Sequence, residues 1–448
     1  MRRDRFRTGA LAGALVVALG LLGAGCGGGD DDGSTTATSA GGGASTQSTD
    51  VSGSVSVVGV WTGDEQRSFK AVIDAFNERY PDVKVRYTSA GDNLPTVVST
   101  AVEGGNPPDI ATIAQPGLIR EFQRKGALRP IDYARDTVTQ NYAPDFVRLG
   151  SIDGRLYSFV YKGANKSTVW YNVSAFRNAG VSDPRDWSEF LRNARTIGAS
   201  GVPAYSIGGA DGWTLTDLFE NIYLRQAGPD KYDQLSEHRI PWTDPSVRAA
   251  LRTMAQVLGD RANIAGGTQG ALQTEFPASV AAVFRDPPRA AQVIEGDFVP
   301  GVVADSTRLE PETGYNVYAF PEIGDSQDYV VGGGDSIATF RDTPAVRAFV
   351  EFLASTEGAR PWAERGGFSS PNRTIGDDVY PDSITAAVAT AIAAARVFRF
   401  DMSDLAPAAF GGTPSQGEWK ILQDFLANPS DVNGTAQKLE AAAARAYK

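Results

Sequence analysis

The stretch SVSVVGVWTGDEQRSFKAVIDAFNERYPDVKVRYT (residues 54–88) decides the fold. Its first part, 54–61, alternates through Val55 and Val57 and ends on an apolar Gly59-Val60-Trp61, the period-two pattern of a strand. Thr62-Gly63-Asp64 makes a short loop. From 65 to 80 the period changes, and Phe69, Val72, Ile73, Phe76 and Tyr80 fall on one face of a helix. Pro81 ends that helix because it has no N–H to donate. Residues 83–88 return to alternation, with Val83, Val85 and Tyr87 on one side.

Outward from there, 94–103 predicts a second helix closed by Gly104-Gly105. Asn106-Pro107-Pro108 is a rigid turn into a buried strand over 109–114. Strand–helix–strand–helix–strand predicts the α/β class, with a mainly parallel sheet flanked by helices on both faces. In such sheets ligands lie at the carboxyl ends of the strands. Here those ends are 61–64, 89–92 and 115–117.

The second half alternates less regularly. Asp186 or Ser188 opens a helix with Trp187, Phe190, Leu191 and Ala194 inward, and 202–207 reads as a strand before the Gly-rich loop 208–213. Helices are expected over 215–223, over 245–258 with Asp244 as N-cap, and over 343–356 with Pro344 in the first turn. Residues 279–284 read as a short buried strand, and 383–395 and 418–447 as Ala-rich helices. No repeat of fixed period is present.

The N-terminus sets the compartment. Arg2, Arg3, Arg5 and Arg7 precede an uncharged apolar run over 9–24. A membrane-spanning helix needs about 17–25 apolar residues, so this run reads as the core of a signal peptide, 1–25. Cys26, the single cysteine, follows Gly23, Ala24 and Gly25 and resembles the lipobox of bacterial lipoproteins. That resemblance implies cleavage before Cys26 and diacylglycerol on its thiol. The lipobox carries Leu three residues before the cysteine, where this chain has Gly23, with Leu21 and Leu22 further back. A free cysteine in an ordinary signal peptide is the other reading. Residues 26–52 are rich in Gly, Ser, Thr and Asp and cannot bury enough surface to fold. As a coil they reach on the order of 25–30 Å, a flexible tether between lipid and body.

The body, about 395 residues, is too long for one core and should divide in two. It has no cysteine, hence no disulfide and no thiol chemistry. The net charge of −11 argues against nucleic acid, which wants a basic patch. With one histidine, His238, and no body cysteine, no ordinary transition-metal site is spelled, and no cofactor is expected.

Several pieces together resemble extracellular solute-binding proteins of the first family, the maltose-binding-like group serving ATP-driven sugar importers. They are 57–64 with its helix, Ala101-Val102-Glu103-Gly104-Gly105-Asn106-Pro107-Pro108-Asp109, Ser167-Thr168-Val169-Trp170-Tyr171-Asn172, Gly332-Gly333-Gly334-Asp335, Gly366-Gly367-Phe368-Ser369-Ser370-Pro371-Asn372 and Phe400-Asp401-Met402-Ser403-Asp404. Residues 92–96 and 400–404 look most like the α-glucoside members. The resemblance implies a two-lobed periplasmic-binding-protein-like fold with a multi-strand hinge. One lobe would take 54–163 plus 333–371, the other 166–331 plus 373–448. The chain would cross between them near 162–165, 331–334 and 370–372. It also implies a monomer that binds a carbohydrate, is tethered outside the plasma membrane through Cys26, and delivers its ligand to permease subunits.

Sugars present apolar C–H faces that stack on aromatic rings, and hydroxyls that need Asp, Asn, Gln, Arg or Lys. Trp61, Thr62, Gly63 and Asp64 meet both needs at the end of the first strand, although Trp61 also suits the core and Asp64 a helix cap. Asp92, beside Asn93, either contacts ligand or caps its helix, and Gln115 sits at a ligand-facing strand end. Lys162 and Asn165 lie at a crossing and serve either ligand or hinge. Trp213, in a Gly-rich loop after a strand, is the best stacking platform, whereas Trp170 and Tyr171 read as core. Gly333, Gly334 and Asp335 let backbone approach a ligand or only shape the hinge. Phe368 and Asn372 follow the same logic. Arg399, Asp401 and Asp404 either bind hydroxyls or form an interlobe ion pair. Binding without covalent change is the leading function. A secreted glycosidase, which needs only two carboxylates, and a sugar sensor without transport are the rivals.

Overall fold

The computed structural model describes residues 50–448. The expected signal peptide, Cys26 and the tether up to residue 49 lie outside the described residues. The strands are β1 (Gly53–Gly59), β2 (Val83–Ser89), β3 (Ile110–Ile113), β4 (Ser151–Ile152), β5 (Arg155–Leu156), β6 (Ser158–Asn165), β7 (Thr168–Asn172), β8 (Tyr205–Ser206), β9 (Gln292–Ile294), β10 (Tyr315–Ala319), β11 (Tyr329–Thr339) and β12 (Val397–Phe400).

The fold is α/β and two-lobed, with one main sheet in each lobe, and β4 and β5 form a separate two-stranded sheet. In the first sheet, β2, β1 and β3 run parallel, as the strand–helix alternation predicts, in the order β2-β1-β3. β11 then joins β3 antiparallel, β6 joins the other edge of β11 antiparallel, and β12 lies parallel to the start of β11 on the same edge as β3. The second sheet has the order β10-β7-β9-β8, and only β8 and β9 are parallel. Both sheets are therefore mixed, which the strand–helix alternation does not reveal. The reason is direct passage between sheets. Two residues, Lys166 and Ser167, separate β6 from β7, and β11 brings the chain back alongside β6 in the opposite sense.

Local chemistry sets most element ends. The helix Gly63–Arg79 buries Phe69, Val72, Ile73 and Phe76, and stops at Tyr80 before Pro81. The Asp186 carboxylate accepts from Glu189 N–H at 2.8 Å and Asp244 from Ser246 N–H at 2.8 Å, each occupying a free donor at a helix start. Residues 279–284, expected as a strand, form the end of the helix Phe276–Phe284. Its buried positions, Ser279, Val280, Val283 and Phe284, have helical spacing, and a short apolar run cannot be told from a strand by periodicity. The long C-terminal helix is two, Gly417–Ala427 and Val432–Ala446, parted around Pro429.

Each sheet has its own core. Val55, Val57, Phe69, Phe76, Phe349, Leu353 and Trp362 pack in the first. Phe190, Leu215, Phe219, Leu251, Leu422 and Leu439 pack in the second, which holds both C-terminal helices. β12, within the segment assigned from sequence to the second lobe, pairs with the first sheet.

The three expected crossings lie side by side. Asn165 pairs with Gly332 and Gly163 with Gly334, and Gly163 N–H donates to the Ser369 carbonyl at 2.7 Å. A Cβ on Gly334 would stand 2.5 Å from Val160 and 2.7 Å from the Lys162 carbonyl, so only glycine lets these strands touch. Among the described residues no helix is long and apolar enough to cross a membrane, and no His, Cys, Asp or Glu group is placed to hold a metal.

Candidate functional site

Two lysines stand where the chain crosses between lobes. Lys162, on β6, is buried and lies 3.1 Å from the Glu65 carboxylate, in the first turn after Thr62. Its ammonium also stands over the rings of Phe298 at 5.3 Å and Trp362 at 5.9 Å. Burial opposes the Lys162 charge, but Glu65, Asp335 and Asp297 outweigh it and raise the pKa. Burial, with Asp335 adding to it, pushes Glu65 up against the pull of Lys162, because one ammonium is shared among several carboxylates.

Lys166, in the link between β6 and β7, reaches Asp217 at 3.0 Å, Asp401 at 2.5 Å and Asp404 at 3.7 Å. Asp401 also accepts from Ser403 Oγ at 2.7 Å and from Asp404 N–H at 3.0 Å. Against its burial, Lys166 and these donors hold Asp401 well below the usual carboxylate range. Burial pushes Asp217 up to about 8, only partly offset by Lys166, and raises Asp404 well above its ordinary value, where Asp401 adds to the effect. Behind them Glu220 accepts from Met402 N–H at 2.6 Å, Ser403 N–H at 2.9 Å and Tyr232 Oη at 2.6 Å.

The second lobe supplies an aromatic wall. Trp213, Phe276 and Phe298 are only partly buried, and their ring centroids stand 5.2–5.8 Å apart. Trp213 opens the helix Trp213–Ala227 behind Gly212, whose φ of +85° suits glycine. A Cβ on Gly212 would also lie 2.7 Å from Trp419 Cβ, so this turn fixes where the indole emerges. Lys166 stands 5.8 Å from the Trp213 ring.

The first lobe supplies acids opposite that wall. Asp92 lies in the short turn Gly91–Asn93, and neither its side chain nor that of Asn93 caps the following helix Leu94–Glu103. Asp92 is exposed as a residue, but neighbouring atoms partly desolvate its carboxyl group and, with the facing charge of Asp211, push it up to about 6; Glu275 and Glu65 add to the effect and the Trp213 side chain opposes it. Asp211 accepts from Phe276 N–H at 2.6 Å. Asp64 is not a cap either. It sits in the first helical turn, 3.2 Å from Arg67 and 3.6 Å from Arg365, and Arg67 also bonds Asp305 on the helix Val299–Ser306.

Of the residues singled out from sequence, Trp213 forms part of the aromatic wall, Lys162 is buried beneath Phe298, Asp64 lines a groove with Pro300, Gly301 and Arg365, and Asp92, Thr62 and Gly63 are exposed. Gly333 packs on Lys166, 2.9 Å from Lys166 Cε to a Cβ placed there, and Asp401 and Asp404 bind that lysine. Trp61 is corrected as a stacking platform. It is 0% exposed among Phe69, Tyr87, Tyr161 and Trp362, and donates its Nε1 hydrogen to Asp335 at 2.6 Å. Phe368 is likewise core, against Tyr161 and Trp362. Arg399 makes a bidentate pair with Asp233, at 2.6 and 2.9 Å, and Gln115 is buried against Gly412. Asn165 and Asn372 hold hinge and loop backbone. Asn165 accepts from Ser167 N–H at 3.0 Å, and Asn372 accepts from Thr374 N–H at 3.0 Å.

Sequence reasoning passed over Lys166, Asp217, Glu220, Phe298 and Asp297. Asp297 accepts from Asn165 N–H at 2.9 Å and from Ser369 Oγ, tying the hinge segments together. Only Lys166 carried a usable signal, as a lone cation between two apolar strands.

Residues 62–360 match the family described as bacterial extracellular solute-binding protein. The chain is 31% identical over 395 residues to the osmoprotective compounds-binding protein GgtB of Synechocystis, covering 85% of this chain and 92% of that one. It is 30% identical over 409 residues to the alpha-glucosides-binding periplasmic protein AglE of Rhizobium meliloti, covering 87% of each. Among solved structures it superposes on the bacterial solute receptor AcbH with a TM-score of 0.77 at 18% identity, covering 88% of this chain and 99% of that one, a likeness of fold. With two lobes, a hinge of adjacent strands and these matches along most of its length, the chain belongs to the bacterial extracellular solute-binding proteins.

Proposed function

We propose that this protein captures a carbohydrate, with an α-glucoside the favoured class, in the cleft between its lobes and delivers it to the permease of an ABC importer. The observation that carries the reading is the partly exposed aromatic wall of Trp213, Phe276 and Phe298 beside the Asp92 carboxylate of the other lobe. Rings offer stacking faces to sugar C–H groups, and carboxylates accept from hydroxyls. The name of AglE, an alpha-glucosides-binding protein, supports the same ligand class. The lobes would be 54–163 with 333–371, and 166–331 with 373–448 apart from β12, which pairs with the first sheet, closing on the sugar as the hinge strands flex.

Binding and release would involve no covalent change. The purified protein should melt at higher temperature with maltose, trehalose or a related glucoside and return that sugar intact. Steady appearance of hydrolysis products would replace this reading with the glycosidase one. The protein would act as a monomer outside the plasma membrane, held by lipid on Cys26. Replacing Cys26 with Ser should release it into the medium, and acyl label on the Ser variant would refute the anchor.

A further inference from the structure

A groove of about 470 Å3 runs along the helix Val299–Ser306, one turn beyond Phe298, and both lobes line it. Asp64 and Arg365 come from the first lobe, and Gly301, Arg308, Glu310 and Tyr315 from the second. The lobes touch at its walls. A Cβ on Gly301 would lie 2.9 Å from Asp64 Oδ2, and one on Gly366 would lie 3.2 Å from Pro381 Cγ. Small-molecule sites occupy roughly 300–1,000 Å3 and favour such boundaries between domains. Tyr315 forms part of its floor and is 5% exposed, with its ring packed on Trp170 and Phe284. Its hydroxyl lies toward Asp382 and Glu310, both groove residues, and makes no hydrogen bond among the described residues. A hydroxyl so placed calls for a partner that arrives through the groove.

The lining decides the chemistry of that partner. Arg308 and Glu310 stand at the rim, and neither side chain forms an ion pair or hydrogen bond among the described residues. Arg365 donates its Nε hydrogen to Ser68 Oγ at 2.9 Å and lies 3.6 Å from Asp64, which leaves guanidinium donors over. With both signs of charge present, an anion or a cation would meet repulsion from one set. A neutral hydroxyl both donates and accepts, and so suits guanidinium, carboxylate and phenol alike. Phe298, in the aromatic wall, and Gly301, in the groove, are three residues apart at one helix start, about 5 Å along its axis. One more unit of a sugar chain spans that step. Resting on the sugar-binding reading above, we infer that the groove is a second subsite, which holds a further unit of a glucoside chain seated on the wall. The protein therefore selects a trisaccharide over a disaccharide.

Calorimetric titration of the full chain with maltose and maltotriose tests this. Each added hydrogen bond contributes a factor of about two to ten, so two of them should make maltotriose bind at least about fivefold more tightly than maltose. Tyr315→Phe keeps the packed ring and removes only the hydroxyl, and Arg308→Ala changes an exposed side chain. The double variant should cut the gain of maltotriose to about twofold or less and leave maltose affinity where it was. Maltose binding with maltotriose no tighter overturns the inference and leaves the sugar reading standing. So does a maltotriose gain that survives the double variant, because the third unit then lies elsewhere, and so does an equal loss for both sugars. Failure of both sugars to bind removes the glucoside reading, and this inference with it.

Discussion

The indole N–H of Trp61 donates to the Asp335 carboxylate at 2.6 Å, joining the end of β1 to β11 beside Lys162. Two residues that sequence reasoning offers to a ligand are thereby spent on each other. Four aromatic rings of the same lobe enclose the indole, and Tyr87 Oη donates to the Trp61 carbonyl at 2.9 Å. The pair therefore shapes the lobe on which the hinge strands lie.

Trp61→Ala should accordingly act on stability. Removing a fully buried large aromatic costs about 3–5 kcal/mol. Urea unfolding should show that loss, with a smaller one for Trp61→Phe, which keeps most of the volume but drops the bond to Asp335. A Trp61→Ala protein that melts like the parent yet binds poorly would return Trp61 to the ligand.

Trp213→Ala should do the reverse. Its ring is only partly covered, by Phe276 and Phe298, so the fold loses little. Central aromatic anchors cost about 2 kcal/mol or more of binding when truncated, roughly thirtyfold in affinity. Calorimetry with the best ligand of a thermal-shift screen measures it, and unchanged affinity would take Trp213 out of the site.

The α/β class and the parallel pairing of the first three strands were legible because periodicity switches cleanly between 2 and 3.6 on either side of Thr62-Gly63-Asp64, whereas their order β2-β1-β3 was not. Antiparallel pairing of β6 with β11 was not, because it joins strands some 170 residues apart in sequence and no local pattern encodes such a partner. The partial exposure of Trp213 was legible from its loop, since a Trp behind Gly208-Gly209 has little local cover. Trp61 misled because strand ends serve a core and a cleft equally well, and only the arrival of Trp362 from far along the chain decides which. Asp217 and Glu220 face inward from a helix buried nearly all round, where polarity alone does not separate a structural acid from a functional one.

Arg67 bonds both Asp64, on its own helix, and Asp305, on the helix Val299–Ser306. These side chains are half-exposed, and such pairs contribute about 0–1 kcal/mol. Asp305→Ala should therefore leave the melting temperature nearly unchanged. If the pair favours the closed arrangement, affinity should fall by no more than about fivefold, through a smaller closed population. Small-angle scattering of the unliganded variant should show a larger radius of gyration. An unchanged radius and affinity would reduce Arg67–Asp305 to a surface contact.

The acids around Lys166 outnumber it, and that imbalance should appear in the pH dependence of stability. Burial raises Asp217 to about 8, and lifts Glu220, Glu295, Asp404 and Glu418 well above their ordinary values. Both Glu418 carboxyl oxygens are buried without a partner. An unfolded Asp or Glu loses its proton near pH 4. Between there and about pH 8 the folded chain holds protons that the unfolded chain has released, so unfolding free energy must fall as pH rises. Asp401, held low by Lys166 against its burial, has the opposite sign, but its contribution is lost only as pH falls below the ordinary carboxylate range, beneath that window. Thermal melts from pH 5 to 8 should give a steadily declining midpoint. Asp217→Asn, neutral at every pH, should flatten the decline. A midpoint that rises over this range would mean that these carboxyl groups ionise in the folded protein, with Lys166 and solvent supplying more compensation than the buried geometry offers.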